Sequence, residues 1–167
     1  MAKTTAVDRK VWVHLLTSRG WVVGALRVPG PLPLVRYLNG PARFVQVDEV
    51  AGGWRGPRGA ALAISKRSLL LVVPSADERV APSPVRGRGV TWRTTLMLPA
   101  GEVQGTFDLR EGITPARYLE RATGFVVVED AKLRLGSPPS TLSSSQVRVA
   151  IVGSSGLVAV WARASRA

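Results

Sequence analysis

The stretch from residue 20 to residue 50 occurs twice in this chain, and this repeat constrains the fold more than any other feature of the sequence. When the sequence is shifted by 81 positions, residues 20–50 lie over residues 101–131 without a gap, and nine positions are identical. About two identities are expected by chance in a window of ordinary composition. The identities include Gly20, Gly24 and the run Arg36-Tyr37-Leu38. We therefore predict an internal duplication with two similar halves.

Alternating apolar and polar residues predict short β-strands throughout both halves. Glycine lies inside the second strand of each half, at Gly24 and Gly105, and a glycine in that place usually marks a bulge or a sharp bend. The second copy also shows the signals of a short helix, with Thr114 as N-cap and Pro115 at the first helical position. We predict helices near residues 33–39 and 115–122, since Pro33 and Gly40 bound the first copy in a similar way.

These patterns predict a mainly β fold made of two tandem five-stranded units, which are small bent sheets or barrels. Each unit has a short helix inserted between its second and third strands. We place the first repeat at residues 1–75 and the second at residues 90–167. Residues 76–89 are rich in proline, serine and charge, which is typical of a linker.

The chain carries a formal net charge of +12, from 23 Lys and Arg residues against 11 Asp and Glu residues. The excess is shared, because residues 1–84 carry +7 (12 − 5) and residues 85–167 carry +5 (11 − 6). Such a balance indicates a polyanionic partner, either a nucleic acid or an acidic protein. The alternative is a basic surface that is merely solvated.

Little in the sequence points to catalysis. Cysteine is absent, which excludes disulfides and thiolate chemistry and fits a cytoplasmic location. The only histidine is His14, too few for a zinc site, and no glycine-rich phosphate loop is present. The acidic pairs Asp48-Glu49 and Glu129-Asp130 occupy consecutive strand positions, so we expect them to pair with arginines or end the strands. We predict a protein that is not an enzyme, without metal or cofactor. The sequence contains no apolar run of about 20 residues, which is the length that would predict a membrane span.

The hairpin at residues 61–75, Ala-Leu-Ala-Ile-Ser-Lys-Arg-Ser-Leu-Leu-Leu-Val-Val-Pro-Ser, resembles the last two strands of Hfq and other Sm-like proteins. Val13 and Leu15, followed by Gly20 and Gly24, are similar to the first two strands of that family. The resemblance implies a small β-barrel whose basic turn contacts RNA, here Lys66-Arg67. The chain departs from the family in the helix between the second and third strands and in the uncharged turn of the second half.

The predicted function is a non-enzymatic module that binds a polyanion, RNA more than DNA, mainly through basic loops of the first repeat. The alternative is a structural subunit of a homo-oligomeric ring or a larger complex, because apolar edge strands need a cover. Arginine, lysine and tryptophan side chains in acid-free stretches could grip phosphates and stack on bases. The candidate nucleic-acid-binding residues are Trp54, Arg55, Arg58, Lys66, Arg67, Arg86, Arg88, Trp92 and Arg93.

Overall fold

A computed structural model describes residues 8–52, 61–76, 78, 80 and 89–165 of the chain. Within these residues the fold is mainly β, as the alternating patterns predict. No helix in the described ranges is long and apolar enough to cross a membrane.

The described residues of the first half form five strands and one α-helix, in the predicted order. They are β1 (Arg9–Thr17), β2 (Gly20–Val28), α1 (Leu34–Leu38), β3 (Phe44–Gly52), β4 (Leu62–Ser65) and β5 (Leu69–Pro74). A single 3₁₀ turn, Lys66–Ser68, connects β4 to β5.

The second half repeats this order. Its elements are β6 (Gly89–Leu98), β7 (Gly101–Arg110), α2 (Pro115–Arg121), β8 (Phe125–Leu135), β9 (Gln146–Gly153) and β10 (Ala159–Ala164). A 3₁₀ turn at Ser154–Gly156 connects β9 to β10. The Thr114 hydroxyl accepts a hydrogen bond from the Arg117 backbone N–H, which is the N-cap that the sequence predicts.

All ten strands belong to one antiparallel sheet, in the order β10-β6-β7-β8-β9-β5-β1-β2-β3-β4. Each half contributes five neighbouring strands, but the sheet runs on from one half to the other through the pairing of β5 with β9. This differs from two separate sheets or barrels, because a backbone ladder joins the halves. The sheet is not closed, and β4 and β10 are its two ends.

The strand registers of the two halves correspond at a constant spacing. Leu15 pairs with Val22 in the first half, and Leu96 pairs with Val103 in the second, 81 positions later in both strands. Residues related in this way are called counterparts below.

From β4 onward the spacing between counterparts is 88 residues. Val45 of β3 pairs with Ile64 of β4, whereas Val126 of β8 pairs with Val152 of β9. Val45 and Val126 are 81 positions apart, whereas Ile64 and Val152 are 88 positions apart. Seven additional residues before β9 therefore account for the change.

The ladder is interrupted at the same place in each half. The register shifts between Val23 and Ala25 in β2, and between Gln104 and Thr106 in β7. A Cβ built on Gly24 would lie 2.9 Å from the Asp48 carbonyl oxygen, so the neighbouring strand approaches too closely for any larger residue. The bulges predicted from the two glycines are confirmed.

Two apolar clusters form the core, and each takes side chains from both halves. One is built mainly on the first half and includes Phe125 and Ile151. The other is built mainly on the second half and includes Leu16, Trp21 and Leu71. The halves therefore share their cores along the β5–β9 junction.

Most of the predicted linker, at residues 77, 79 and 81–88, lies outside the described residues. Glu78, which is described, is buried, and its carboxylate oxygens accept hydrogen bonds from Arg9 at 2.6 Å. Its backbone carbonyl accepts a hydrogen bond from Arg148 of β9. Glu78 is therefore tied to both halves of the sheet.

Candidate functional site

Five of the candidate binding residues predicted from the sequence lie outside the described residues. They are Trp54, Arg55, Arg58, Arg86 and Arg88. Four candidates remain for which the structure gives positions: Lys66, Arg67, Trp92 and Arg93.

The basic turn between β4 and β5 places its two cations in different environments. The Lys66 ammonium donates hydrogen bonds to the carbonyl oxygens of Tyr37 (3.2 Å) and Gly40 (2.9 Å), and it lies 5.9 Å from the Tyr37 ring centre. Burial lowers the pKa of the Lys66 ammonium. Lys66 thus serves to hold the end of α1, whereas Arg67 is exposed.

Trp92 and Arg93 are adjacent in β6 and point to opposite faces of the sheet. The Trp92 side chain is half-buried against the core of the second half. Arg93 is exposed on the other face. The two side chains therefore lie on different faces of the sheet.

Arg93 instead faces a second arginine. In the β10–β6 ladder it pairs directly with Arg163, which is also exposed. Residues directly opposite each other in an antiparallel pair have Cβ atoms about 5 Å apart, and like charges in that arrangement repel. Within the described ranges, no ion pair joins either arginine to a carboxylate.

A cleft of about 520 Å³ adjoins this pair of arginines. Lys132 of β8 reaches it from the far side, and Gln104 and Thr106 of β7 form its floor. One acidic residue, Asp130, also lines it. We name Arg93, Arg163 and Lys132 the cationic face.

The sequence indicated only one member of the cationic face. Arg163 was missed because its pairing with Arg93 depends on how the last strand aligns with β6. Lys132 was missed because its position opposite Gln104 depends on the register of the β7–β8 ladder.

The acidic pair of the first half forms ion pairs. Asp48 forms an ion pair with Arg27, and Glu49 forms one with Lys10. The hydrogen bond from Arg27 lowers the pKa of the Asp48 carboxyl group. The predicted pairing with arginine is confirmed for Asp48, whereas Glu49 pairs with a lysine, and both residues lie inside β3 and do not end it. Glu49 and its counterpart Asp130 share a positive φ, at 51° and 47°.

Two further features of the described residues are His14 and a cavity between the halves. His14 is half-buried, its Nε2 lies 3.0 Å from the Thr141 hydroxyl, and burial lowers its pKa. A cavity of about 700 Å³ lies between the halves near Trp21 and Leu70. Its described lining is apolar or carries hydroxyl groups, without an ionisable side chain. The described ranges contain no cluster of three His, Cys, Asp or Glu side chains suited to a metal.

No family model, no curated protein and no solved structure matches this chain.

Proposed function

We propose that this chain is a non-enzymatic module that binds nucleic acid through the cationic face. The observation that carries the proposal is the direct pairing of Arg93 with Arg163. Two guanidinium groups held side by side repel each other, and a phosphate between them would turn this repulsion into two charge-assisted hydrogen bonds. A nucleic acid carries a phosphate at every nucleotide. Such a chain suits a surface with a third cation, Lys132, across the same cleft.

The net charge of +12 supports a polyanion over a single small anion. RNA is favoured over DNA by the resemblance of the β4–β5 hairpin to Sm-like proteins. Arg67 at that turn is exposed and is a second place for a phosphate. An acidic protein is the other polyanion compatible with the charge.

The test is a salt titration of the affinity for a short fluorescent single-stranded RNA, with duplex DNA beside it. The double variant Arg93→Ala/Arg163→Ala removes two phosphate contacts. Each contact is expected to account for about 0.7 to 0.9 of the slope of log affinity against log salt. We therefore expect the slope to become shallower by about 1.4 to 1.8.

Arg19→Ala/Arg36→Ala is the matched control, since it removes the same charge from two other exposed positions. It should lower the affinity slightly and leave most of the slope. Arg67→Ala reports separately on the basic turn. Absence of RNA binding by the wild-type chain at low salt would refute the proposal, as would equal slopes for the two double variants.

We further propose that the two halves are a tandem duplication of a small Sm-like unit. The proposal is supported by the repeated strand order, the matching registers and the paired bulges at Gly24 and Gly105. The strands of each half lie in the same order across the sheet. The last strand of the half comes first, and its first, second, third and fourth strands follow.

A structural role is the second candidate function, and one observation favours it. Among the described strands, β4 and β10 each have a neighbour on one side only, and large apolar side chains are exposed beside their outer edges. Exposed strand edges pair with other chains unless they are covered. The mass of the protein in solution as a function of concentration tests this role.

A further inference from the structure

Four large apolar side chains are exposed in the described part of the chain, and three of them lie at the two ends of the sheet. Phe44 lies in β3 beside β4, at one end. Val158 and Trp161 lie just before and within β10, at the other end. The fourth is Trp12.

The counterpart of Phe44 is buried. Phe125, 81 positions later, is 7% exposed, whereas Phe44 is 54% exposed. Phe125 lies where β8 and β9 meet the first half, and it belongs to the first-half core cluster. The same aromatic residue is therefore covered in one half and uncovered in the other, because among the described strands β9 has a neighbour at that edge and β4 has none.

The two exposed residues of the opposite edge show the same contrast. Val158 is 71% exposed, and its counterpart Leu70 is 6% exposed. Trp161 is 58% exposed, and its counterpart Val73 is 2% exposed. Leu70 and Val73 are buried because the second half lies beside β5. Each free edge thus presents the apolar residues of one side of the β5–β9 junction.

We propose that β10 of one copy of this chain pairs with β4 of a second copy and repeats the β5–β9 junction between molecules. At the junction, Val72 pairs with Ile151. The counterparts of these two residues are Val160 in β10 and Ala63 in β4, so we expect Val160 to lie opposite Ala63 of the second copy. The inference identifies the partner for the structural role, and it does not depend on RNA binding.

A second copy fits because both sides of the contact are already present in every chain. One free edge corresponds to β9 and the other to β5, so the surfaces are different and complementary. A contact of this kind is head to tail, and it produces a closed ring or an open filament according to the rotation between copies.

The charges at the two edges are complementary as well. At the junction, the Asn39 side chain donates to the Phe125 carbonyl (2.9 Å) and accepts from its N–H (2.6 Å). Gly124 lies against the same amide. The counterpart of Asn39 is Glu120 and that of Gly124 is Arg43, and both are exposed. The contact between copies would therefore bring a carboxylate to a guanidinium group.

One difference makes the contact between copies looser than the internal junction. Gly153 allows the Leu69 carbonyl to approach so closely that a Cβ there would collide with it. The counterpart of Gly153 in β4 is Ser65, which has that Cβ. The backbones must therefore stand further apart at this end of the new pairing, so Ser65→Gly should strengthen association.

Disulfide cross-linking is a clean test, because the natural chain has no cysteine. The single variants Ala63→Cys and Val160→Cys are mixed and oxidised under dilute conditions. We expect the mixed disulfide between the two variants to form at least about tenfold faster than either homodimer, since opposite residues have Cβ atoms about 5 Å apart. Arg36→Cys, on an exposed turn of α1, replaces Ala63→Cys as the off-edge control.

A charge reversal provides a second readout on the intact chain. Glu120→Lys should weaken association about tenfold or more, because it places two cations together, and Arg43→Glu in the same chain should restore it. Sedimentation velocity measures both variants, and both positions are exposed, so the fold is unaffected. A wild-type chain that stays monomeric at high concentration overturns the inference, as do homodimeric cross-links or a failure of the second charge to rescue.

These outcomes are separable from those of the RNA titration. The counterparts of the cationic face are Trp12, Ala51 and Ser75, and all three remain exposed at the internal junction. Arg93, Arg163 and Lys132 would therefore stay accessible in the assembly. RNA binding without assembly, or assembly without RNA binding, refutes one proposal and leaves the other standing.

Discussion

The last strands of the two halves, β5 and β10, occupy the same place in their halves and differ completely in burial. Five of the six residues of β5 are buried, whereas every residue of β10 is exposed or half-buried. Both strands pair on one side with the first strand of their own half. Among the strands that the structure describes, β5 has a second neighbour, β9, and β10 has none.

This difference teaches that the neighbour determines the burial of these positions. β5 carries leucine and valine over its length, which suits a strand covered on both sides. β10 has Val160 and Trp161 at the corresponding positions, and Arg163 follows near its end. β10 therefore exposes apolar side chains in the isolated chain. Exposed apolar side chains are typical of a contact surface.

The largest predicted effect comes from a substitution at a buried position of the β5–β9 junction. Ile151→Asp places an unpaired carboxylate at a fully buried position of the junction. We expect it to lower the free energy of unfolding by about 4 kcal/mol or more, measured by urea denaturation.

The counterpart variant Ala63→Asp supplies the contrast, because Ala63 is exposed on the free edge. In dilute solution it should change the free energy of unfolding by no more than about 0.5 kcal/mol. Similar losses for both variants would show that β4 and β9 do not differ in environment as described.

An intermediate effect is expected where the halves are alike. A Cβ on Gly105 would lie 2.6 Å from the Glu129 carbonyl oxygen, much as a Cβ on Gly24 would crowd Asp48. Gly24→Ala and Gly105→Ala should each cost about 1–3 kcal/mol of unfolding free energy through overpacking. Thermal and urea denaturation measure both variants.

Gly136→Ala is the control for these glycine variants, since a Cβ there would have only the Ala100 carbonyl oxygen, at 4.0 Å. Its effect should stay within about 0.5 kcal/mol. Loss of stability in only one of the two bulge variants would break the equivalence of the halves.

The smallest effect concerns the polar contact across the junction. Asn39→Ala removes two hydrogen bonds to the Phe125 backbone and should cost about 1–2 kcal/mol of unfolding free energy. Glu120→Ala changes the counterpart residue at the free edge and should be nearly neutral in a dilute monomer. An equal cost for both would mean that Glu120 has a structural role within its own chain.

Much of the local structure could be predicted from the sequence. Turn residues, caps and alternation predict the two helices, the two bulges and the order of the elements along each half. The candidate site was predicted less well. Lys66 lies in a basic turn of the sequence, but its ammonium group donates hydrogen bonds to carbonyl oxygens at the end of α1 and just after it. Trp92 and Arg93 are neighbours in the chain, yet a strand directs them to opposite faces.

What the sequence by itself determined is the local strands, turns and helices, because short-range signals such as glycine, proline and the period of apolar residues act within a few positions. What only the tertiary structure decided is which edges meet. The pairing of β5 with β9 joins residues about 80 positions apart, and the pairing of Arg93 with Arg163 joins residues 70 positions apart. Contacts over such distances depend on register and on packing of whole strands, and no local pattern of side chains specifies them.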